Sequence, residues 1–554
     1  MSRSRDSDQQ LGPRSSLYSP PPARPLSPPL PLPPPQELLS PLPTAPTLPS
    51  VLPEDSSDTI IVNQFHFEGN TVFTDDELEN LVASYRDHPL TFSELLAARS
   101  VITQHYVQAG YVTSGAYIPP QTLEKGVVVI RILEGQLGAV NVLVEGKLNP
   151  NYVRDRLALA GEGVLNVPKL LAALQVLQLN PIIDKISAEL AASAEAGQSI
   201  LNVTVKAARS FYPQVLLDNG RNPLVGSFRR GGQLEDWNLT GNGDDMRATY
   251  RNTDGSNELD WRYSLPISPT NTSLILGYRN LTGKVVEAPF DVLDLRSYYE
   301  KYEVGIRQPV WQTPYQELAI ALSFDYQNSL TTILGEPFPT RGADADGQMR
   351  LASLRLSQEW LDRSDRSVLA LRSEFGLGVD ALNPTVPYDA LYNATAPNPN
   401  YWLWRGQGQW LQKIGEDALF VARTDLQITN SSLPSLEQFT LGGLGSVVGY
   451  RQNTLLTDSG LFAALEVRLP IYRIPEEKAV LQLVPFVNFG TGWNSKIPNP
   501  EINTLASVGV GLLWQYGNQV SARLDWGQRL GKIPYLEGNS LQDDGFIFSV
   551  TITP

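Results

Sequence analysis

The last 345 residues of the chain, 210–554, alternate between apolar and polar side chains with a period of two. In the segment 369–379, for example, Leu371, Phe375 and Leu377 alternate with residues that include Arg372 and Glu374. A period of two places successive side chains on opposite faces of a strand, whereas an amphipathic helix requires a period of about 3.6. The same alternation recurs in the segments 318–326, 420–428, 461–469 and 520–526. It restricts this region to β-sheet with one polar and one apolar face.

The polar faces of these strands share a second feature, an acid and a base two residues apart. The pairs are Arg372/Glu374, Arg423/Asp425, Glu466/Arg468 and Arg523/Asp525. In a soluble β-sandwich such faces meet water outside the protein. In a membrane barrel they line a wet lumen while the apolar faces meet lipid. Alternation alone leaves both architectures open.

The length of the region favours a single barrel. Leu265-Pro266-Ile267 and Gln308-Pro309-Val310 resemble equivalent turns 43 residues apart, and Leu469-Pro470-Ile471 resembles a third. This spacing gives about 21 residues per strand with its loop, and therefore about 16 strands, an even number as bacterial barrels require. The chain has no run of about 18 apolar residues, so no transmembrane helix is expected.

Composition excludes several function classes. The chain has 58 acidic and 43 basic residues, a net charge of −15, which argues against nucleic-acid binding. It has no Cys, and its 3 His lie at positions 66, 88 and 105, so the barrel region has no imidazole. Thiolate metal sites and Ser-His catalysis are therefore not expected there. We expect no catalytic residues, no metal and no cofactor.

The N-terminal residues 1–58 contain 16 of the 43 Pro and are predicted to form an extended, disordered linker. Triplets such as Pro20–Pro22 and Pro33–Pro35 argue against helix because Pro lacks an N–H and fixes φ. Met1–Gln10 is polar and no apolar signal-peptide core follows, which by itself favours the cytoplasm. We give the barrel pattern greater weight than this absence.

Two small modules occupy residues 59–135 and 136–209, and each is predicted to have the order β-α-α-β-β. In the first, capping boxes at Thr74 and Thr91 open two helices, and strands at 111–118 and 127–133 follow. In the second, Asn149 and Asn166 are predicted N-caps, and strands at 182–190 and 200–205 close the module. Two copies of one fold are thus expected in tandem.

These modules resemble POTRA domains, the periplasmic domains of outer-membrane translocases. The segment Phe67–Phe73, which reads F-E-G-N-T-V-F, is similar to the opening of that family. A small sheet leaves an edge strand that can bind an extended client by β-augmentation. The edge predicted to bind the client is that of Tyr111, Val112, Ser114 and Tyr117. The alternative is a rigid spacer that makes no client contact.

Three further segments carry a more specific resemblance, and together they are similar to signature regions of the ShlB/FhaC/HecB haemolysin-secretion family. They are Leu436–Gly443 running into Ser446–Arg451, Asn238–Asp244, and Phe486–Gly490. The resemblance implies a membrane β-barrel of about 16 antiparallel strands, residues 210–554, preceded by two α+β POTRA domains. It places the barrel in the outer membrane and the POTRA domains in the periplasm. The implied function is export of an unfolded exoprotein by two-partner secretion, with the client's folding outside the cell supplying direction.

The implied partners are the secreted exoprotein and outer-membrane lipid, and the protein is expected to be a monomer. In the family, a loop re-enters the lumen with a Val-Arg-Gly-Tyr/Phe tip, and its Arg pairs with the Asp of an F-x-D-x-G strand. The corresponding loop tip here is Val447, Val448, Gly449, Tyr450 and Arg451. The wall residues expected to face it are Asn488, Gly490, Glu466 and Arg468.

This sequence lacks both members of the family's ion pair, since position 448 is Val and position 488 is Asn. Losing both avoids an unpaired charge in a confined lumen. The hypothesis is that the loop still folds inward through Gly449, Tyr450 and neutral hydrogen bonds to Asn488, with Arg451 making a shifted contact. Two alternatives remain: a barrel-assembly factor of the same superfamily, and an outer-membrane enzyme, which the absence of His disfavours.

Overall fold

The computed structural model describes residues 33–40, 59–123, 125–388, 396–415, 417–531 and 538–554. The chain divides into two compact units. One contains residues 32–210 with 240–243, and the other contains 211–239 and 244–554. Within the described residues, no helix is long and apolar enough to cross a membrane.

The N-terminal described segment is a single helical turn, α1 (Pro35–Leu38), followed by an extended residue, Leu39. The expectation of an unstructured linker is therefore wrong for residues 33–40. Pro35 occupies the first helical position, where its missing N–H has no intrahelical partner to lose. Leu38 and Leu39 are buried. The rest of the segment 1–58, including Pro20–Pro22, lies outside the described residues.

The first module follows the predicted β-α-α-β-β order, with two additional short strands. Its elements are β1 (Ile60–Ile61), β2 (Gln64–Glu68), α2 (Asp75–Leu81), β3 (Pro89–Leu90), α3 (Phe92–Gln108), β4 (Gly115–Tyr117) and β5 (Val127–Leu133). The sheet order is β2-β5-β4, and both predicted capping boxes are present. Leu95, Ala98, Ile102 and Tyr106 of α3 are buried against the sheet, as the helical spacing predicts.

The second module repeats this order. Its elements are β6 (Gln136–Glu145), α4 (Pro150–Ala160), α5 (Val167–Gln178), β7 (Ile183–Ala192) and β8 (Gln198–Ala207). The sheet order is β6-β8-β7, so β7 is an edge strand. The side chains of Asn149 and Asn166 cap the two helices by accepting hydrogen bonds from the Asn151 and Lys169 N–H groups. Both predicted N-caps are observed.

The C-terminal unit is a closed antiparallel barrel of 16 long strands, which confirms the predicted fold class. The first half of the barrel contains β9 (Phe211–Asp218), β10 (Arg229–Asp236), β11 (Asp245–Asn252), β12 (Ser256–Pro266), β13 (Ser273–Lys284), β14 (Arg296–Gln312), β15 (Gln316–Ile333) and, after the two-residue strand β16 (Glu336–Pro337), β17 (Gln348–Arg363). The second half contains β18 (Ser367–Val379), β19 (Trp402–Ile414), β20 (Ala418–Ile428), β23 (Ser459–Ile474), β24 (Ala479–Trp493), β25 (Thr504–Tyr516), β26 (Val520–Arg529) and β27 (Phe546–Ile552). The last strand, β27, pairs with β9 and closes the barrel.

The two faces of the barrel wall differ as the alternation predicts. On β18, Leu371, Phe375 and Leu377 are exposed on the outer face, whereas Glu374 is buried on the inner face. The predicted acid–base pair Arg372–Glu374 is an ion pair with a 2.5 Å N···O distance. The apolar face therefore points outward and the charged face points inward.

The predicted proline turns are only partly correct. Pro266 is the last residue of β12, as expected of a turn. Pro309 and Pro470, however, lie inside β14 and β23, where the strand register shifts by one residue. A bulge tolerates Pro because no ladder hydrogen bond is required of its nitrogen there.

Candidate functional site

The connection between β20 and β23, residues 429–458, folds into the barrel instead of away from it. It carries a two-stranded hairpin, β21 (Phe439–Leu441) and β22 (Leu455–Thr457). A cluster of loop side chains packs against apolar wall residues of β23 and β25. The members are Phe439, Leu441, Val447, Tyr450 and Leu455 from the loop and Phe462, Ala464 and Leu505 from the wall. An apolar patch on the inner wall thus holds the loop. We refer to residues 429–458 as the inner loop.

The tip of the inner loop lies against the wall at strand β26. Gly449 has φ +98°, a conformation that glycine adopts without steric cost. A Cβ at this position would lie 2.6 Å from the Gly527 carbonyl oxygen, so only glycine permits the close approach. Next to it, Tyr450 is fully buried and its hydroxyl donates to the Ala506 carbonyl at a distance of 2.9 Å.

Asn488 and Gly490 on β24, which the resemblance implies face the loop, lie beside its tip. With its amide oriented to satisfy both neighbours, Asn488 accepts from the Val448 N–H at 3.2 Å and donates to the Val487 carbonyl at 3.2 Å. A Cβ at Gly490 would lie 2.8 Å from Leu441 and 3.1 Å from Val447. Neutral hydrogen bonds and close packing therefore join the loop tip to β24.

Arg451 makes the charged contact of the loop tip. Its guanidinium donates to both carboxylate oxygens of Glu287, at 3.0 and 2.9 Å, and to both oxygens of Asp543, one of them at 2.7 Å. Glu287 lies in the connection after β13 and Asp543 in the connection after β26. The side chain of Arg451 is mostly buried. One residue of the inner loop thereby joins three connections at one end of the barrel.

A second ionic anchor, which the sequence did not predict, lies at Glu437. Its carboxylate accepts from Arg355 at 2.6 Å and from Gln327 at 2.6 Å. Arg355 also donates to Asp325 at 2.6 Å on the neighbouring strand. Arg355 and Asp325 belong to the alternating polar faces of β17 and β15, but nothing in the sequence indicates that a residue 82 positions away completes the cluster.

Glu466 and Arg468 project from β23 into the lumen, where they belong to a cluster on the wall. Glu466 pairs with Arg468 at 2.7 Å and with Arg523 at 2.8 Å, and Arg523 pairs with Asp525 at 2.7 Å. Their ion-pair partners are thus other wall residues. Asn488 and Gly490, by contrast, contact the inner loop directly.

The predicted client-binding edge of the first module is shorter than expected. Strand β4 comprises only Gly115–Tyr117, because the residues after α3 form a turn in which the Ser114 N–H donates to the Tyr111 carbonyl. Ser114 is 3 % exposed and its hydroxyl accepts from the Gly135 N–H, so it does not line an open edge. The ring of Tyr111 packs near Tyr106, and Val112 is half-buried. Of the four, only Tyr117 is well exposed, at 46 %.

No group of three or more His, Asp or Glu side chains in the described part of the chain is arranged to hold a metal ion. Two acidic side chains of the lumen, Glu437 and Glu466, are instead paired with Arg.

Two family profiles match the chain. Residues 60–135 match the POTRA domain, ShlB-type, and residues 197–513 match the haemolysin secretion/activation protein ShlB/FhaC/HecB.

Among similar proteins, the heme/hemopexin transporter protein HuxB of Haemophilus influenzae is 22 % identical over 471 residues, which cover 79 % of this chain and 77 % of that protein. The outer membrane transporter CdiB of Dickeya dadantii is 19 % identical, with 75 % and 73 % covered. The solved structure of CdiB from Escherichia coli matches 91 % of this chain and 93 % of that chain, with a TM-score of 0.70 at 18 % identity. At this identity, the match to a solved structure concerns the fold alone.

Proposed function

The chain belongs to the ShlB/FhaC/HecB family of haemolysin secretion/activation proteins, and from this membership we propose how it exports its client. It is an outer-membrane translocator of two-partner secretion, with its POTRA modules in the periplasm. The exported client is an unfolded exoprotein of the haemolysin or adhesin type. It crosses through the barrel lumen, and its folding outside the cell supplies the direction of transport.

The observation that carries this proposal is the inner loop, residues 429–458, held inside the barrel by an apolar cluster and by ionic anchors. We propose that the loop obstructs the lumen at rest and rearranges when a client enters. Its contacts suit such a gate, because they are separate anchors that can be broken in sequence: neutral hydrogen bonds at Asn488 and ion pairs at Arg451. The charged wall then offers a wet path for a polypeptide.

The POTRA modules are proposed to receive the client by β-augmentation on a sheet edge. On the first module, Tyr117 of β4 is the exposed member of the predicted edge. The outer apolar belt is proposed to contact outer-membrane lipid, and one chain is proposed to form one pore. No catalytic step is proposed, since every His in the sequence precedes the barrel.

Export is tested in a Gram-negative host that carries this chain together with a candidate client, an exoprotein encoded in a neighbouring reading frame. Client on the cell surface that depends on this chain supports the export function. If the client stays in the periplasm while other barrel proteins fail to assemble in cells lacking the chain, the assembly factor is the better assignment.

The loop contact is tested by Asn488→Asp. One carboxylate oxygen can still accept from the Val448 N–H, but the other would face the Val487 carbonyl without a proton to share. We expect the tip to detach and the ionic conductance of the reconstituted barrel to rise. A conductance equal to that of the wild type would mean that Asn488 does not hold the tip.

A further inference from the structure

The short segment 33–40 occupies a groove on the second module. Leu38 and Leu39 are 1 % and 0 % exposed, although they belong to a segment rich in Pro. The turn α1 lies against both helix α5 and strand β7. Leu39 pairs in parallel with Ala188 of β7, and the Ser40 N–H donates to the Ala188 carbonyl at 3.0 Å. The chain therefore supplies a peptide ligand to its own module.

The receiving strand, β7, is the edge of the sheet, and alternate residues turn their backbone groups toward the open side. Ser193 hydrogen-bonds inward, its N–H donating to the Gln198 carbonyl of the neighbouring chain segment. Ala188 faces outward, and Leu190 and Ala192 do so by the same alternation. Toward the N-terminal end of β7, the Ile186 N–H already has a partner, since it donates to the Gln178 side chain at 2.9 Å. The edge can thus pair with a longer strand than the one that occupies it.

The sequence of the segment offers few backbone donors for further pairing. Pro33, Pro34 and Pro35 precede the leucines, and Pro41 follows Ser40, so none of these positions has an N–H to donate. Two buried leucines and one short bridge therefore hold the segment in place. An extended chain with an adjacent pair of large apolar residues and free N–H groups would fill the same groove and add ladder hydrogen bonds.

We propose that the groove between β7 and α5 is the peptide-binding site of the second module, and that Leu38–Leu39 is a tethered competitor which the exported chain displaces. The displacing partner is an unfolded segment with two consecutive Leu-like residues. This proposal rests on the export function in naming the exported chain as that partner. The groove is kept covered, and so protected from promiscuous strand pairing, until a client of this kind arrives.

The first test uses a fluorescent peptide with the sequence of residues 33–40, added to the full chain in detergent. In the wild type, the tethered Leu38–Leu39 competes with the added peptide at a high effective concentration. The peptide should therefore bind the double variant Leu38→Ser/Leu39→Ser at least about tenfold more tightly than it binds the wild type. A peptide with both Leu replaced by Ser should not bind. Leu143→Ser, at a 65 % exposed position of the same module, is the matched control and should behave as the wild type. Equal affinity for all three proteins, or no binding to the double variant, would overturn the groove assignment.

The second test locks the segment in place. The chain has no Cys, so Ser40→Cys/Glu189→Cys creates a unique pair at two exposed positions beside the Leu39–Ala188 bridge. We expect export of the client to fall at least about tenfold when the disulfide is formed and to recover on reduction, as a tethered ligand that cannot leave excludes its competitor. Equal export in both states would overturn displacement, while wild-type export in the same assay shows separately whether the transport function holds.

Discussion

At the scale of single residues, Arg451 is the most consequential contact of the inner loop. Its guanidinium pairs with Glu287 and Asp543, which lie in two different connections. In Arg451→Ala these two mostly buried carboxylates would lose the cation that they share, at a cost of about 3–5 kcal/mol. We expect higher and noisier ionic conductance in planar bilayers.

The matched variant for this position is Arg451→Lys. Lysine keeps the charge but cannot donate in the planar, bidentate geometry that joins both acids. Its conductance should lie between those of the wild type and Arg451→Ala. If all three proteins conduct alike, the loop is held by its apolar cluster alone.

A second residue-scale prediction concerns Glu134 in the first module. It accepts hydrogen bonds from the Thr71 and Val72 N–H groups, at 2.7 and 2.9 Å, and from the Tyr106 hydroxyl at 2.7 Å. Partial burial raises the pKa of Glu134, but these hydrogen bonds outweigh burial and the pKa lies below its usual value. The carboxylate therefore stabilises the module above about pH 4.5, and this contribution is lost as the pH falls through the lowered pKa.

Glu134→Gln should lower the free energy of unfolding of the module by about 2 kcal/mol at neutral pH, because an amide N–H₂ would face N–H donors. Urea unfolding followed by the helical far-UV signal measures this. Glu68→Gln is the control, since the Glu68–Arg131 pair is exposed and contributes little. Equal urea midpoints for the two variants would contradict the role of Glu134.

At the scale of elements, the inner loop depends on how closely its tip approaches β26. Gly449→Ala adds a Cβ that would meet the Gly527 carbonyl at a positive φ, and we expect it to displace the tip and raise conductance. Gly445→Ala lies in the same loop with nothing within 4 Å of its added Cβ. It should conduct as the wild type does. A response of the same size from both variants would show that loop flexibility, and not the close approach, sets conductance.

The barrel closes through its shortest wall-strand pairing, that of β9 with β27. Four residue pairs join these strands, whereas sixteen join β14 and β15. A disulfide in Leu217→Cys/Val550→Cys, a register pair across this seam, prevents its opening. Transport through the lumen should proceed unchanged in the oxidised protein, as judged by surface client with and without reductant. Export that stops on oxidation and returns on reduction would mean that the seam must open, as an assembly factor requires.

The sequence predicted the elements well because their signals are local. The alternation in 369–379 lies within β18, and Thr91 with Glu94 marks the start of α3. The site was predicted less completely because its contacts join distant residues. Arg451 pairs with a carboxylate 164 positions away. Ser114, predicted to lie on an open edge, is instead buried with its hydroxyl bonded to the Gly135 N–H. The turn at Pro35–Leu38 escaped prediction because it is defined by its burial against α5 and β7.

At the scale of the whole molecule, the two units have separate spectroscopic probes. All 10 Trp follow residue 210, and every described α-helix precedes it. We expect urea to abolish the helical far-UV signal at a lower concentration than it changes Trp fluorescence, because the small modules bury much less surface than the barrel in detergent. A single coincident transition for both probes would mean that the units unfold together.

The ion pairs on the inner wall have a consequence for whatever travels past them. Arg523 is neutralised by Glu466 and Asp525, and Arg355 by Asp325 and Glu437. Wall charges that are paired in this way offer a passing polypeptide few free charges to bind, whether that polypeptide is acidic or basic. A polypeptide of either net charge should therefore pass these two clusters with little retention, and the clusters themselves do not select the cargo.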